Sequence, residues 1–213
     1  MTKIILLRHG QSVANIDGVF VGHIDAPLSD LGKNQAMATA KYVAENYKVD
    51  TVYASDLKRA YCTGKAVADL TGKEIVKEKN LREIYAGKWE NEKFDELLFK
   101  FPKSYGLWLE NIGKSSPEDG ESVMELQNRI VDAITKIAKE NEGRTVVIAT
   151  HATPIRVFET FVKGKALDEM KDIPWVSNAS VSVVSFDGEK FTYEITGYDL
   201  HLGDMKTALP KNV

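Results

Sequence analysis

Cysteine is almost absent from this sequence: Cys62 stands alone among 213 residues. A lone thiol excludes an intramolecular disulfide and a cysteine-based zinc cluster, and it fits a reducing compartment. Long apolar runs are missing as well. The opening one, Ile4 to Leu7, meets Arg8 at once, far short of the ~18 apolar residues of a membrane span and too short for a signal peptide. Neither sign of charge is in excess: 28 Lys and Arg face 31 Asp and Glu, a formal net charge of −3. Such a surface offers no footprint for nucleic acid or an anionic membrane. The expectation is a soluble, cytoplasmic protein that binds neither. Arginine is scarce too, 6 residues against 22 Lys, so the position of each one is informative.

What remains is an ordinary globular composition, 43% hydrophobic and 9% aromatic with 15 Gly and 6 Pro, which excludes disorder, collagen and low complexity. Length predicts a single domain over residues 1–213. Ile4 to Leu7 reads as a buried strand ending at Arg8-His9-Gly10, followed by a Gly- and Asp-rich loop over 15–28. Ser29 opens an amphipathic helix with Ala36, Met37, Ala40 and Val43 turned inward. Thr51 to Ala54 is a second strand, and Ser55 an N-cap for a helix from Asp56 to Leu70 with Gly72 past its end. Residues 74–78 are a weaker strand. The stretch 92–116, broken at Pro102 and Gly106, reads as two short helices covering a cleft.

Ser122 and Glu125 form a capping box ahead of Val123, Leu126, Ile130, Ile134 and Ile137 at helical spacing, closed by Gly143. Thr145 to Ala149 is the strongest buried strand and runs into Thr150-His151. Thr153-Pro154 reads as the N-cap and first residue of a helix bearing Ile155, Phe158 and Val162. Ser180 to Phe186 and Phe191 to Thr196 make a hairpin about Asp187-Gly188. Strands alternating with helices predict a three-layer α/β/α sandwich with a mostly parallel central sheet, antiparallel edges from the hairpin, and a small helical cover.

In open α/β sheets ligands bind beyond the carboxyl ends of the strands. Two of the four His stand there, His9 and His151, with Arg8 beside one and a helix N-terminus beside the other. Singly, each His reads best as a structural residue; together with Arg8 they point to an anion site. Arg8 and Arg59 offer forked donors that match phosphate oxygens, and Asn15 adds an amide donor without charge. An unprotonated imidazole is a competent nucleophile toward phosphorus. The leaving alkoxide then needs a proton from a nearby carboxylic acid. Glu83 leads, although the residues alone do not separate it from Glu78 or Glu90.

Leu7-Arg8-His9-Gly10-Gln11-Ser12 with Asn15 resembles the RHG signature of the histidine phosphatase superfamily, the phosphoglycerate mutase-like proteins. Phe20 to Ser29 with Gly32 resembles that family's G-x-x-D-x-P-L-[ST]-x-x-G loop, and Ser55, Arg59, Ala60 and Thr63 its S-x-x-x-R-A-x-x-T helix. Leu81, Glu83, Gly87, Trp89 and Glu90 are similar to its L-x-E-x-x-x-G-x-W-E segment, Gly120-Glu121-Ser122 to its G-E-S helix start, and Val146 to His151 to its second-histidine strand. The resemblance implies the family's sandwich fold, His9 as the phosphorylated nucleophile and Glu83 as proton donor. It implies Arg8, Asn15, Arg59, His151 and the N–H of Ala152 as phosphoryl ligands. Gln11 is a further candidate, and His23 either reaches the pocket through its loop or is merely exposed. It implies no cofactor and no metal, the cationic side chains taking magnesium's part. Gln11 replaces the commoner Glu of the signature, and Ala152 stands where many members have Gly. The absence of Asp beside His151 separates the chain from the acid phosphatase and phytase branch.

The family divides over whether water or a bound hydroxyl accepts the phosphoryl group. The glycolytic mutases carry an insertion after the Glu83 segment that supplies Tyr and basic residues; here no Arg lies between Arg82 and Arg129, although Lys88, Lys93, Lys100 or Lys103 could contribute. The pattern therefore favours a phosphatase of small phosphorylated metabolites, resembling the broad-specificity and α-ribazole phosphatase group. Phosphoglycerate mutase is the alternative, and a catalytically silent phospho-ligand-binding module the alternative of another class. The hairpin edge offers a surface for a homodimer.

Other motifs read as structural. Gly113-Lys114-Ser115 lacks the Gly of a Walker A, since Trp108 stands in its place, and Cys62 lacks a partner Arg, position 68 being Ala. Tyr85 and Trp89 read as cleft wall or core, and His201 as a surface or helix-end residue in a tail, 201–213, without assigned role.

Overall fold

The computed structural model describes residues 1–208; residues 209–213 of the expected domain and its tail lie outside them. In chain order the elements are β1 (Thr2–Arg8), α1 (Val13–Asp17), β2 (Val19–Phe20), α2 (Asp30–Asn46), β3 (Thr51–Ala54), α3 (Lys58–Thr71) and β4 (Ile75–Lys77). Residues 92–116, expected to form the cover, contain β5 (Glu92–Lys93), α4 (Phe94–Lys100) and α5 (Ser104–Glu110). Then come α6 (Val123–Glu140), β6 (Thr145–Thr150), α7 (Ala152–Val162), β7 (Val181–Phe186) and β8 (Phe191–Tyr198).

Strand β1 is apolar on both faces because both faces are covered. Ile4 and Leu6 join a core that contains Leu126 and Ile130 of α6, Phe158 of α7 and Trp89. Ile5 and Leu7 join a second core with Ala40 and Val43 of α2 and Val67 of α3. The sheet has the order β4-β3-β6-β1-β7-β8. Its first four strands are parallel, and the β7–β8 hairpin adds two antiparallel strands at one edge. The fold is the expected three-layer sandwich.

Register positions the chemistry. Arg8 of β1 pairs with Thr150 of β6, and Ala54 of β3 with Ala149 of β6. His9, His151 and Ser55 therefore leave three neighbouring strands at one level. Gly10 and Gly32 let the loop after β1 lie against the start of α2, where a Cβ on either would collide with backbone carbonyl oxygen of the facing segment. A two-stranded β2–β5 ribbon ties the loop before α2 to the cover.

Several local expectations give way to tertiary contacts. Met37 is 55% exposed, while Gln35 and Thr39 are buried; both polar side chains are bonded inside, Gln35 to the N–H of Gln11 and the carbonyl of Met205, and Thr39 to the carbonyl of Ala179. Helix α3 begins at Lys58, not Asp56, without a side-chain cap. Helix α7 starts at Ala152, with His151 rather than Thr153 at its N-cap. Gly106 lies inside α5 instead of breaking it. The short helix α1, closed by a reciprocal Ser12–Asn15 capping box and a left-handed Gly18, occupies part of the expected loop. Among the described residues, no helix is long and apolar enough to cross a membrane.

Candidate active site

At the end of β1, His9 is buried and its Nδ1 lies 2.7 Å from the carbonyl oxygen of Gly10. A carbonyl only accepts, so Nδ1 carries the proton and Nε2 keeps its lone pair. Burial, then the charges of Arg59 and Arg8, hold the His9 imidazole well below its ordinary pKa. It is neutral at neutral pH.

Arg8 and Arg59 approach from different elements, and both are buried. Arg8 Nη1 donates to the Val176 carbonyl at 2.5 Å, and its Nε has no partner among the described residues. Arg59, in the first turn of α3, donates to the carbonyls of Gly22 at 2.8 Å and Ile24 at 2.9 Å. Thr63 links this helix to the nucleophile loop, donating to the Arg59 carbonyl and accepting from the Gly10 N–H. Burial lowers both guanidinium pKa values to about 10, which leaves both cationic at neutral pH.

Asn15 sits on α1. Its Oδ1 accepts from the Ser12 N–H at 3.0 Å and from Asn178 Nδ2 at 3.3 Å, so Nδ2 is the end available to an anion. Glu83 accepts from the Ile84 N–H at 2.8 Å and the Thr153 N–H at 3.4 Å. Its own carbonyl is held by His23 Nε2 at 2.9 Å and Arg129 Nη2 at 3.3 Å, and Arg129 is anchored by Glu121.

These groups meet in one cavity of about 80 Å³, whose polar lining includes Arg8, His9, Asn15, Arg59, Glu83 and the helix start at Ala152 and Thr153. The α7 N-terminus adds partial positive charge there. His151 packs its ring edge-on to His9, with centroids 5.1 Å apart, and is fully buried. Its Nε2 lies 2.9 Å from Ser55 Oγ, and its Nδ1 has no partner among the described residues. Burial, then Arg59 and His9, push its pKa well below the ordinary value. The rest of the cavity is apolar: Val19, Phe20 and Val21 before α2, Phe94 of α4, Trp108 of α5, and Trp175.

Three expected residues do not line this cavity: Gln11, His23 and His151, the last fully buried against His9. Gln11 uses Oε1 to accept from the Ser29 hydroxyl, bracing the start of α2. His23 turns away from the cavity, its N–H on Glu90 and its ring against Tyr85. Glu78 caps Asn80 instead of reaching the cavity, and Trp89 is core. The residues that sequence reasoning missed are Asn178, Ser55 as a partner of His151, Arg129 and the aromatic wall. Thr63 and Ser55 were within reach of the family pattern; Asn178 and Arg129 carry no motif. Among the described residues, no cluster of three or more His, Cys, Asp or Glu gathers as a metal site.

The model of the histidine phosphatase superfamily (branch 1) matches residues 4–198. Phosphoserine phosphatase 1 of Hydrogenobacter thermophilus is 30% identical over 204 residues, 96% of either chain. The solved structure of Bacillus stearothermophilus YhfR superposes with a TM-score of 0.90 at 28% identity, over 95% of this chain and 100% of that one. A phosphoserine phosphatase of Entamoeba histolytica, solved with 3-phosphoglyceric acid, gives 0.84 at 25% identity over 95% and 100%.

Proposed function

The chain belongs to the histidine phosphatase superfamily, and from that premise we propose that it hydrolyses small phosphomonoesters through a phosphohistidine formed on His9. It is a phosphoric monoester hydrolase. The observation that carries the role of His9 is its tautomer: the Gly10 carbonyl holds the proton on Nδ1 and leaves Nε2 unprotonated beside two buried guanidinium groups.

Arg8, Arg59, Asn15 Nδ2 and the Ala152 N–H receive the non-bridging oxygens of the phosphoryl group. Fixed donors of this kind stabilise the transition state more than mobile water does. The Nδ1 of His151, without a partner among the described residues and in a ring packed against His9, supports a fifth contact, since a buried ring nitrogen without a partner is uncommon. The His9 Nε2 lone pair attacks phosphorus, the P–N bond forms, and the ester P–O bond breaks. Glu83 delivers its proton to the departing oxygen. In the second half the Glu83 carboxylate takes a proton from water, the water oxygen attacks phosphorus, and the P–N bond breaks to release phosphate. His9 and Glu83 return to their starting states, so the cycle needs no metal. Within this reading, residues 92–116 cap the site as part of the same domain.

Phosphate release from p-nitrophenyl phosphate by wild type and His9→Ala tests the assignment. The variant is expected to fall below about one-thousandth of the wild-type rate, as loss of a nucleophile does. Equal rates would exclude His9 as the nucleophile.

A further inference from the structure

We infer that the leaving-group end of the cavity selects esters of apolar alcohols, alkyl or aryl, over esters whose leaving group carries a carboxylate; this rests on the phosphatase reading above. Among the described residues, the only cations lining the cavity are Arg8 and Arg59. Both belong to the phosphate end, and both are held there by backbone carbonyls. Beyond them the walls are side chains with no charge: Phe20 and Trp108 are buried, and Phe94 and Trp175 are half-buried.

The four lysines that the sequence offered as carboxylate ligands do not line this cavity. Lys88 pairs with Glu118 and Asp119, and Lys100 with Glu92 and Glu96. Arg156 packs against the Trp175 ring at 4.2 Å, but it lines a neighbouring pocket and not this cavity, and its Nε and Nη2 donate to the carbonyls of Ile173 and Met170.

A carboxylate placed against this wall would lose water and meet no cation, only the indole N–H groups of Trp108 and Trp175, which leaves its charge poorly compensated, and it would share the cavity with Glu83. An alkyl chain or ring in the same place gains by leaving water. The selection therefore runs opposite to what the 3-phosphoglyceric acid in the Entamoeba structure would lead one to expect by analogy.

The test compares n-butyl phosphate with 4-(phosphonooxy)butanoate, two esters of equal chain length and closely similar leaving-group acidity that differ by the terminal carboxylate. Wild-type kcat/KM is expected to be at least about tenfold higher for the butyl ester, the scale on which apolar pockets discriminate. A ratio of one or less overturns the inference while leaving the phosphatase reading intact. Absence of turnover with both esters and with p-nitrophenyl phosphate overturns the phosphatase reading, and this one with it. Phe94→Arg places a cation in the wall and is expected to narrow the ratio by raising kcat/KM for the carboxylate ester. An unchanged ratio in a folded Phe94→Arg protein would show that the wall does not hold the leaving group, and so contradict the inference.

Discussion

The Asn15 carboxamide has two ends, and two donors decide which one an anion meets. Ser12 N–H and Asn178 Nδ2 both approach Oδ1, so Nδ2 remains for the phosphoryl group. Asn178 also donates to the His9 carbonyl at 3.2 Å, and its own Oδ1 accepts from the Thr207 hydroxyl. Its neighbours Val176 and Ala179 hold Arg8 and the His9 carbonyl through the backbone. We expect Asn178→Ala to lower kcat/KM by about tenfold, the scale of one lost buried hydrogen bond. In the Asn15→Ala background the same change should cost little, because the two act as a unit. Full additivity in a double-mutant cycle would show that Asn178 does not act through Asn15.

At the scale of elements, the cover depends on Trp89. Its ring meets Phe20, Tyr105 and Trp108 edge-on, with centroids 5.7, 5.2 and 5.7 Å away, and it is fully buried. Trp89→Ala is expected to destabilise the protein by about 3–5 kcal/mol in denaturant unfolding, as large-to-small changes in a packed core do. A loss below about 1 kcal/mol would mean that this cluster packs loosely.

The strands and most helices were legible in the sequence because apolar alternation and caps are local signals. The positions of Arg8, His9 and His151 followed from strand ends, and the roles expected of them from the family pattern. Ser55 shows where local reading stops. A Ser before a helix is a good cap candidate, but its hydroxyl accepts only a long bond, 3.4 Å, from the Leu57 N–H and lies 2.9 Å from His151, a contact 96 residues away in sequence. Arg129 reaches the Glu83 carbonyl from 46 residues away, and nothing in its neighbourhood marks it. His23 fell near the site for the right reason, its loop, yet its ring turned to the Glu83 backbone.

Across the whole molecule, all four His titrate below their ordinary range, in each case chiefly because of burial. The unfolded chain, with imidazole pKa values near ~6.5, therefore binds protons that the native state refuses. Stability should rise with pH through the window from the lowered native values up to about 6.5, and fall on acidification through it. Thermal unfolding followed from pH 7.5 to 5.5 should show Tm dropping as pH falls; a flat or rising Tm would contradict the buried neutral state of these rings. The same neutrality keeps Nε2 of His9 nucleophilic in mildly acidic solution. Net charge of the molecule is −3, while the phosphate end of the cavity holds two buried guanidinium groups and a helix N-terminus. A small anion is drawn to the cationic end of this cavity although the protein as a whole is mildly acidic.

Rapid quenching of the enzyme with a substrate labelled on the phosphoryl group reads the intermediate itself. The expected result is a burst of protein-bound label, labile to acid and stable to alkali, on the peptide containing His9 and absent from His9→Ala. Steady turnover with no such label, or label on any other residue, would contradict a phosphohistidine on His9.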